Sequence, residues 1–342
     1  MEMYGDYLKR CCHMCTGVFT KTKDGTYLLS RTMDFVFPLE PSPLFIPRGF
    51  EWQAAVKKAS FNTQFGFVGA GRLLGDTYFV ADGVNEKGLS VAELYLPGEV
   101  YYAEHPINNK VNVAPHELIL WLLGTCATIE EVEGKLADLH IVSAMIPELN
   151  IVTPLHWILT DLTGRCVVIE PTEEDLSIKE NKIGVMTNTP CLEWHIENLR
   201  NYLHVRPKQY EPVRFGEYIA NPFSQGTGTT GLPGGFTPPE RFVRAAFFKE
   251  HIEEAENEEQ GVYNHYHILS TVRIPKGIVV TAADTVDYSQ YVGTMCNNSK
   301  TYYYSAYDQH DIVKVTLTEE LLARTTPKQF ELAAKFKVHA IE

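Results

Sequence analysis

Much of the chain reads as short stretches in which apolar and polar positions alternate with the two-residue period of strands. From Cys15 the run CTGVFTKTKDGTYLLSRTMDF places β-branched and aromatic residues on both sides of Lys23-Asp24-Gly25, which predicts a hairpin. The arrangement recurs at residues 78–81 and 89–95 around Asn85-Glu86-Lys87-Gly88, and at residues 157–160 and 166–170 around Asp161-Leu162-Thr163-Gly164. Helical spacing of apolar residues appears at residues 115–123, 129–139, 193–203, 239–250 and 263–272, several opened by Pro or acidic residues. Late strands are predicted at residues 277–281, 288–295, 301–307 and 312–317. They need partners, and the early hairpins are the ones available. The expectation is therefore an interleaved unit of antiparallel sheets with helices outside them, a layered α+β arrangement.

Length changes this picture little: 342 residues would suit roughly two ordinary domains, yet no composition shift, Gly/Ser linker or fixed-period repeat divides the chain. Hydrophobic residues at 44% and charged residues at 21% suffice for a sizeable core and exclude disordered, collagen-like and coiled-coil classes. The longest apolar stretches, such as residues 118–124, fall far below the roughly 20 residues that cross a bilayer. The opening MEMYGDYLKRCCHMC lacks the apolar run of a secretory signal, so the expected location is the cytoplasm. A net charge of −13 opposes phosphate backbones and anionic lipid, and neither nucleic acid nor membrane is expected as a partner. Seven cysteines, an odd number, point to reduced thiols.

Several short patterns carry little chemistry. Residues 226–231, GTGTTG, match a dinucleotide fingerprint but are followed by Pro233 and Gly234-Gly235 instead of a helix, so an irregular loop is expected. Cys12-His13-Met14-Cys15 matches half a zinc or redox site and has no second half. Asn297-Asn298-Ser299 is a sequon, of little meaning without secretion. His156, His195 and His267 sit among apolar or aromatic neighbours and read as structural. No G-x-S-x-G is present.

Met14-Cys15 stands immediately before the first predicted strand, so removing everything through Met14 would create an N-terminal cysteine. Such a residue holds nucleophile and base together, because an α-amine titrates near ~8 and can take the thiol proton directly or through a water. On the return strand of the same hairpin, Arg31 would favour the thiolate and Asp34 would hold the amine.

Six ordered blocks then carry a resemblance: the Cys15 hairpin, FIPRGF at 45–50, ADGVNEKGL at 81–89, PLHWILTDLTGR at 154–165, GVMTNTP at 184–190 and GLPGGFTPPERF at 231–242. Together they resemble the choloylglycine hydrolases, N-terminal-nucleophile amidases that include conjugated bile salt hydrolases and penicillin V acylases. The resemblance implies a four-layer αββα sandwich of two antiparallel sheets, with residues 1–14 a removable leader or a start placed too early, and residues 15–342 a single catalytic domain. It implies Cys15 as nucleophile, Arg31 and Asp34 as its orienting pair, and Asn188 with the Tyr95 main-chain N–H as oxyanion donors, with Arg241 completing the polar set. No metal or organic cofactor is implied, the partner is a small-molecule amide, and relatives are commonly homotetramers.

Tyr95 stands where bile salt hydrolases usually carry Asn and penicillin V acylases usually carry Tyr. An aromatic ring narrows a pocket and offers a stacking face to a phenoxy group. The expected reaction is therefore hydrolysis of penicillin V to phenoxyacetate and 6-aminopenicillanate, with conjugated bile salts or N-acyl homoserine lactones as the alternatives. A different class of alternative is an unprocessed, non-catalytic ligand-binding protein. Glu93, Gly235 and Glu240 depart from the family pattern and bear on pocket polarity.

Overall fold

A computed structural model describes residues 14–332, apart from 39, 75, 76, 147, 148, 174, 175 and 310. The leader expected at residues 1–14 thus lies, except for Met14, outside the described residues, as does Cys12 of the Cys-x-x-Cys pattern. The strands that frame the site are β1 (Cys15–Lys21), β2 (Tyr27–Phe35), β3 (Thr77–Asn85), β4 (Ser90–Tyr95), β5 (Leu155–Thr160), β6 (Val185–Met186) and β7 (Val286–Cys296). The longer helices are α1 (Leu118–Thr125), α2 (Ile129–Leu136), α3 (Leu192–Asn198), α4 (Pro238–His251) and α5 (Glu258–Ser270).

Among the described residues these strands belong to two large sheets, one of seven strands and one of eight. The first runs β6-β1-β2-β7 and continues through Thr301–Ala306 and Val313–Thr316. The late strand β7 pairs antiparallel with β2, which bears out the expected interleaving of the chain's two ends. The second sheet runs from Ile178–Glu180 through Cys166–Ile169, β5, β4 and β3 to Phe67–Leu74, Ser42–Ile46 and Lys328–Gln329.

Strand periodicity explains the layering. On β4, Ala92 and Leu94 face the core between the sheets while Val91 and Tyr95 face a second core under α1 and α2. On β5, Ile158 faces the first and Trp157 and Leu159 the second. Both faces are covered, so each of these side chains leaves water and contributes roughly 1.5–3 kcal/mol. The helix α1 is buried from Leu118 to Gly124, whereas α4 and α5 pack on the outer face of the first sheet. The result is the expected helix–sheet–sheet–helix sandwich.

Differences from the periodicity have local causes. The helix predicted over residues 129–139 stops at Leu136, where Asp138 N–H bonds to the Lys135 carbonyl and the chain enters a strand at Leu139–Ile141. The strand expected at residues 277–281 shrinks to Val279–Val280, because a turn closed by Ile278 N–H on the Pro275 carbonyl precedes it. Among the strands that went unpredicted, one contains Pro43 and another, FVGAGRLL, is too rich in glycine to alternate.

Candidate active site

The register of β1 on β2 divides the site into two faces. Cys15 lies opposite Met33 and Gly17 opposite Arg31, so odd-numbered side chains of both strands look toward the second sheet, while Thr16, Thr32 and Asp34 look toward α4.

On the first face, Arg31 Nη2 donates to Cys15 Sγ at 2.9 Å. Its Nη1 donates to Asp82 Oδ2 at 3.1 Å and its Nε to the Thr32 carbonyl at 2.9 Å. Asp82, on β3, also accepts from the hydroxyls of Tyr291 and Tyr302 at 2.5 Å each. Arg31 and Asp82 have no exposed surface, so the cation is held in place by a carboxylate that is itself fully hydrogen-bonded.

The second face is built by Arg241, in the first turn of α4, and by the segment after β6. The edge strand β6 pairs with β1 through Gly17 and Met186, which delivers Asn188 beside Cys15. Arg241 Nη1 donates to the Cys15 carbonyl and to Thr16 Oγ1, and its Nη2 to Asn188 Oδ1, each at 2.6 Å. Asn188 Oδ1 also accepts from Cys15 N–H at 2.8 Å. Asp34 accepts from the Ser289 hydroxyl at 2.5 Å and the Thr32 hydroxyl at 3.2 Å.

Burial dominates the protonation of both acids. It pushes the Cys15 thiol up to about 11, against the pull of the Arg31 cation and with Asp34 adding to the rise. It lifts Asp34 to about 6, opposed by Arg241 and the Ser289 hydrogen bond. Met14 precedes Cys15, so the nitrogen beside this thiol is a peptide N–H and not a base.

Cys15, Arg31, Asp34, Asn188 and Arg241 thus converge as the sequence predicts, and Tyr95 joins them through its main chain. One detail differs. Asn188 Nδ2 spends one of its two N–H groups on the Tyr95 carbonyl at 2.8 Å instead of pointing both at open space. Leu96 N–H bonds to the Pro154 carbonyl, so the main-chain groups of Tyr95 turn to the opposite strand edge, where Asn188 lies. The sequence reading missed Asp82, Ser289 and Tyr291. His195, read as structural, is buried, donates from Nε2 to the Asn188 carbonyl at 2.8 Å and stacks on Phe242, next to Arg241.

Other expectations are settled by contacts. His267 is exposed instead of buried in an apolar setting. In the GTGTTG stretch, a Cβ on Gly228 would sit 2.1 Å from the Lys208 carbonyl, so this glycine admits neighbouring backbone. Asn297 is buried and donates to the carbonyls of Gly88 and Thr160. Gly235 and Glu240 lie together: a Cβ at 235 would lie 2.2 Å from the Glu240 carboxylate, which fills the space a side chain there would take. The described residues contain no cluster of three or more His, Cys, Asp or Glu placed to hold a metal ion.

A cavity opens on the thiol because the second sheet comes apart beside it. β3 and β4 pair only from Asp82 to Val84 and from Ser90 to Ala92, so residues 79–81 and 93–95 diverge. The gap belongs to about 730 Å³ of non-atom space, part of it open solvent, lined among others by Cys15, Arg31, Phe35, Glu93, Tyr95 and Leu155. The Tyr95 ring meets Phe35 edge-on with centroids 5.8 Å apart. A thiol in the wall of a mostly apolar cavity, with a cation on its sulfur and an amide side chain beside it, suits attack on the carbonyl of an acyl group seated in that cavity.

Comparison with known proteins agrees. Residues 15–330 match the family model of linear amide C–N hydrolases, choloylglycine hydrolase family. The chain is 36% identical over 309 residues to a bile salt hydrolase/transferase of Clostridium perfringens, covering 90% of this chain and 94% of that one. A crystal structure of a variant of the conjugated bile acid hydrolase from Clostridium perfringens superposes with a TM-score of 0.88 at 34% identity, over 96% of this chain and all of that one. A penicillin V acylase of Agrobacterium tumefaciens shares the fold, with a TM-score of 0.73 at 21% identity over 94% of this chain and 92% of that one. With a cysteine-centred polar cluster between two antiparallel sheets and this match over nearly its whole length, the chain belongs to the choloylglycine hydrolase family of linear amide hydrolases.

Proposed function

We propose that the chain, once it begins at Cys15, hydrolyses glycine- or taurine-conjugated bile salts. The observation that carries this reading is the Arg31–Cys15–Asn188–Arg241 cluster, whose Cys15 and Arg31 line a mostly apolar cavity, in a chain 36% identical to a bile salt hydrolase/transferase. The preference for penicillin V rested on Tyr95 alone, and the penicillin V acylase of Agrobacterium tumefaciens shares the fold at 21% identity. Penicillin V therefore becomes the second reading, favoured by the Tyr95 ring in the cavity wall.

In the proposed reaction the α-amine freed at Cys15 takes the thiol proton, with Arg31 stabilising the thiolate. Sulfur attacks the amide carbonyl, and the alkoxide is met by Asn188 and the Tyr95 main-chain N–H, a kind of donor worth about 10²- to 10³-fold in rate. The amine returns its proton to the departing amine, and water releases the acyl group from the thioester. Asp34 accepts from the amine, and Arg241 holds Asn188 and the Cys15 carbonyl in place.

Side-by-side specificity constants for glycocholate and penicillin V test the reading. A preference for glycocholate of about tenfold or more, roughly 1.4 kcal/mol in transition-state binding, supports it, and the reverse preference restores the acylase.

Asp34 gives a second test, because its effects on stability and on activity have opposite signs. Its folded value of about 6 lies above the ordinary 3.8, so the folded chain binds that proton more tightly and loses stability as pH rises between the two values. The Asp34→Asn variant lacks this loss. In urea unfolding its stability should gain on the wild type by up to about 3 kcal/mol between pH ~4 and ~7. Activity of the wild type should instead fall on acidification as Asp34 takes up a proton and ceases to accept from the amine. An unchanged stability difference across that interval would remove the buried-carboxylate account.

A cytoplasmic homo-oligomer, tetrameric by family analogy, completes the proposal. The described cysteines are free, and Leu203, Phe215, Tyr218 and Phe223 expose 66–96% of their surface in one stretch of chain, the kind of apolar patch that subunit contacts cover. No helix of the described residues is long and apolar enough to cross a membrane.

A further inference from the structure

Among the described residues, three buried polar atoms around the cavity have no hydrogen-bond partner: Glu93 Oε2, His116 Nδ1 and Thr153 Oγ1. Buried polar atoms are nearly always paired, so three orphans on one cavity need an explanation. They come from separate segments. Glu93 projects from β4 beyond the point where β3 leaves it, His116 sits in a 3₁₀ turn at Pro115–Glu117, and Thr153 lies just ahead of β5. Much of the remaining lining is apolar, including Met33, Phe35, Phe79 and Leu155, while Arg72 faces Glu40 at 3.9 Å.

We propose that Glu93, His116 and Thr153 form a hydroxyl-binding subsite, so that the acyl group this enzyme takes is an apolar skeleton carrying hydroxyl groups. The inference deepens the reading above and rests on it in one respect, that the acyl group enters this cavity.

The chemistry of the trio selects the ligand. Burial holds the Glu93 carboxyl well above its ordinary range, with Asp82 adding to the rise and Arg31 opposing it. Burial pulls the His116 imidazole down to about 4, and its ring stacks on Phe79. Burial favours the uncharged form of both, and a protonated carboxyl, an imidazole and a hydroxyl can each donate and accept. Hydroxyl groups have the same dual character. A carboxylate or sulfonate would find no cation in this trio, and a plain phenoxy ring would leave all three atoms unpaired. A family position that is otherwise small or apolar thereby gains a purpose in Glu93.

The test compares glycine conjugates that share one leaving group and differ only in hydroxylation: glycocholate, glycochenodeoxycholate and glycolithocholate. The wild type should favour the trihydroxy over the monohydroxy conjugate by roughly tenfold or more in kcat/KM, since a site built to bond a hydroxyl rejects the analogue that lacks it. Glu93→Leu should cut that ratio about tenfold, and Glu93→Gln should keep an intermediate ratio. A ratio that Glu93→Leu leaves unchanged overturns the subsite. Should Glu93→Leu fail to fold by circular dichroism, Thr153→Val is put through the same comparison with the same expectation. If none of the conjugates is hydrolysed but penicillin V is, the bile-salt reading fails separately. The subsite is then tested on penicillin V against its para-hydroxyphenoxy analogue, where the hydroxylated compound should be favoured and equal rates would end the proposal.

Discussion

Cys15→Ala is expected to reduce amide hydrolysis to the background rate, a loss on the order of 10⁶-fold in kcat. The magnitude follows from how much of the site converges on one residue. The Cys15 sulfur accepts from Arg31, its carbonyl from Arg241, and its nitrogen bonds to Asn188. Alanine keeps the last two and removes only the sulfur, so the fold should survive by circular dichroism while covalent chemistry stops. Burial holds the thiol near 11 when Met14 is still attached, so at neutral pH it is almost entirely protonated. Active wild-type protein should accordingly show an intact mass that begins at Cys15. A variant that keeps more than about a thousandth of wild-type turnover would remove Cys15 from the reaction.

The second large effect concerns stability and activity together. Arg31→Met should destabilise the fold by about 3–5 kcal/mol, because it strands the Asp82 carboxylate in a site with no exposed surface. The adjacent Tyr291 and Tyr302 hydroxyls still donate to Asp82, which keeps the expected cost within that range. Combining Arg31→Met with Asp82→Asn removes the stranded charge, and urea unfolding should recover most of the loss. Hydrolysis should stay absent in both variants, since neither restores a cation at the Cys15 sulfur. Recovery of activity in the double variant would show that Arg31 matters only as a partner for Asp82.

Legibility in the sequence followed distance along the chain. Cys15, Arg31 and Asp34 share one hairpin whose turn residues announce it, and their convergence is readable from strand periodicity. The parity of the numbering carried more than was taken from it. Residues 31 and 34 differ by an odd number and must fall on opposite faces of β2, which is why Arg31 reaches the sulfur while Asp34 turns to Thr32 and Ser289. Asn188 and Arg241 were placed through family resemblance, since no local pattern brings residues so far apart in the chain to the same carbonyl and amide. Asp82 lay within a block quoted for that resemblance and still went unassigned, because a buried acid in a strand reveals its partner only once the sheets are stacked. The cavity was the least legible part. It exists where β3 and β4 do not pair, and alternation of apolar residues marks strands without saying which stretches of them have neighbours. Tyr95 was therefore weighed as a single ring at a family position, without the Glu93, His116 and Thr153 wall around it.

The parting of β3 and β4 also bears on how such an enzyme changes over generations. Residues 79–81 and 93–95 are excused from the ladder between those two strands, so replacing them alters the lining of the cavity without breaking a β3–β4 hydrogen bond. Cys15, Arg31 and Asp34 sit in the opposite sheet and Arg241 in α4, and Asp82, which braces Arg31 from β3, lies where that strand still pairs with β4. Mutation can thus explore new acyl groups while the reacting centre is conserved. On such a scaffold a change of substrate requires few steps, whereas a change of chemistry would require dismantling the core.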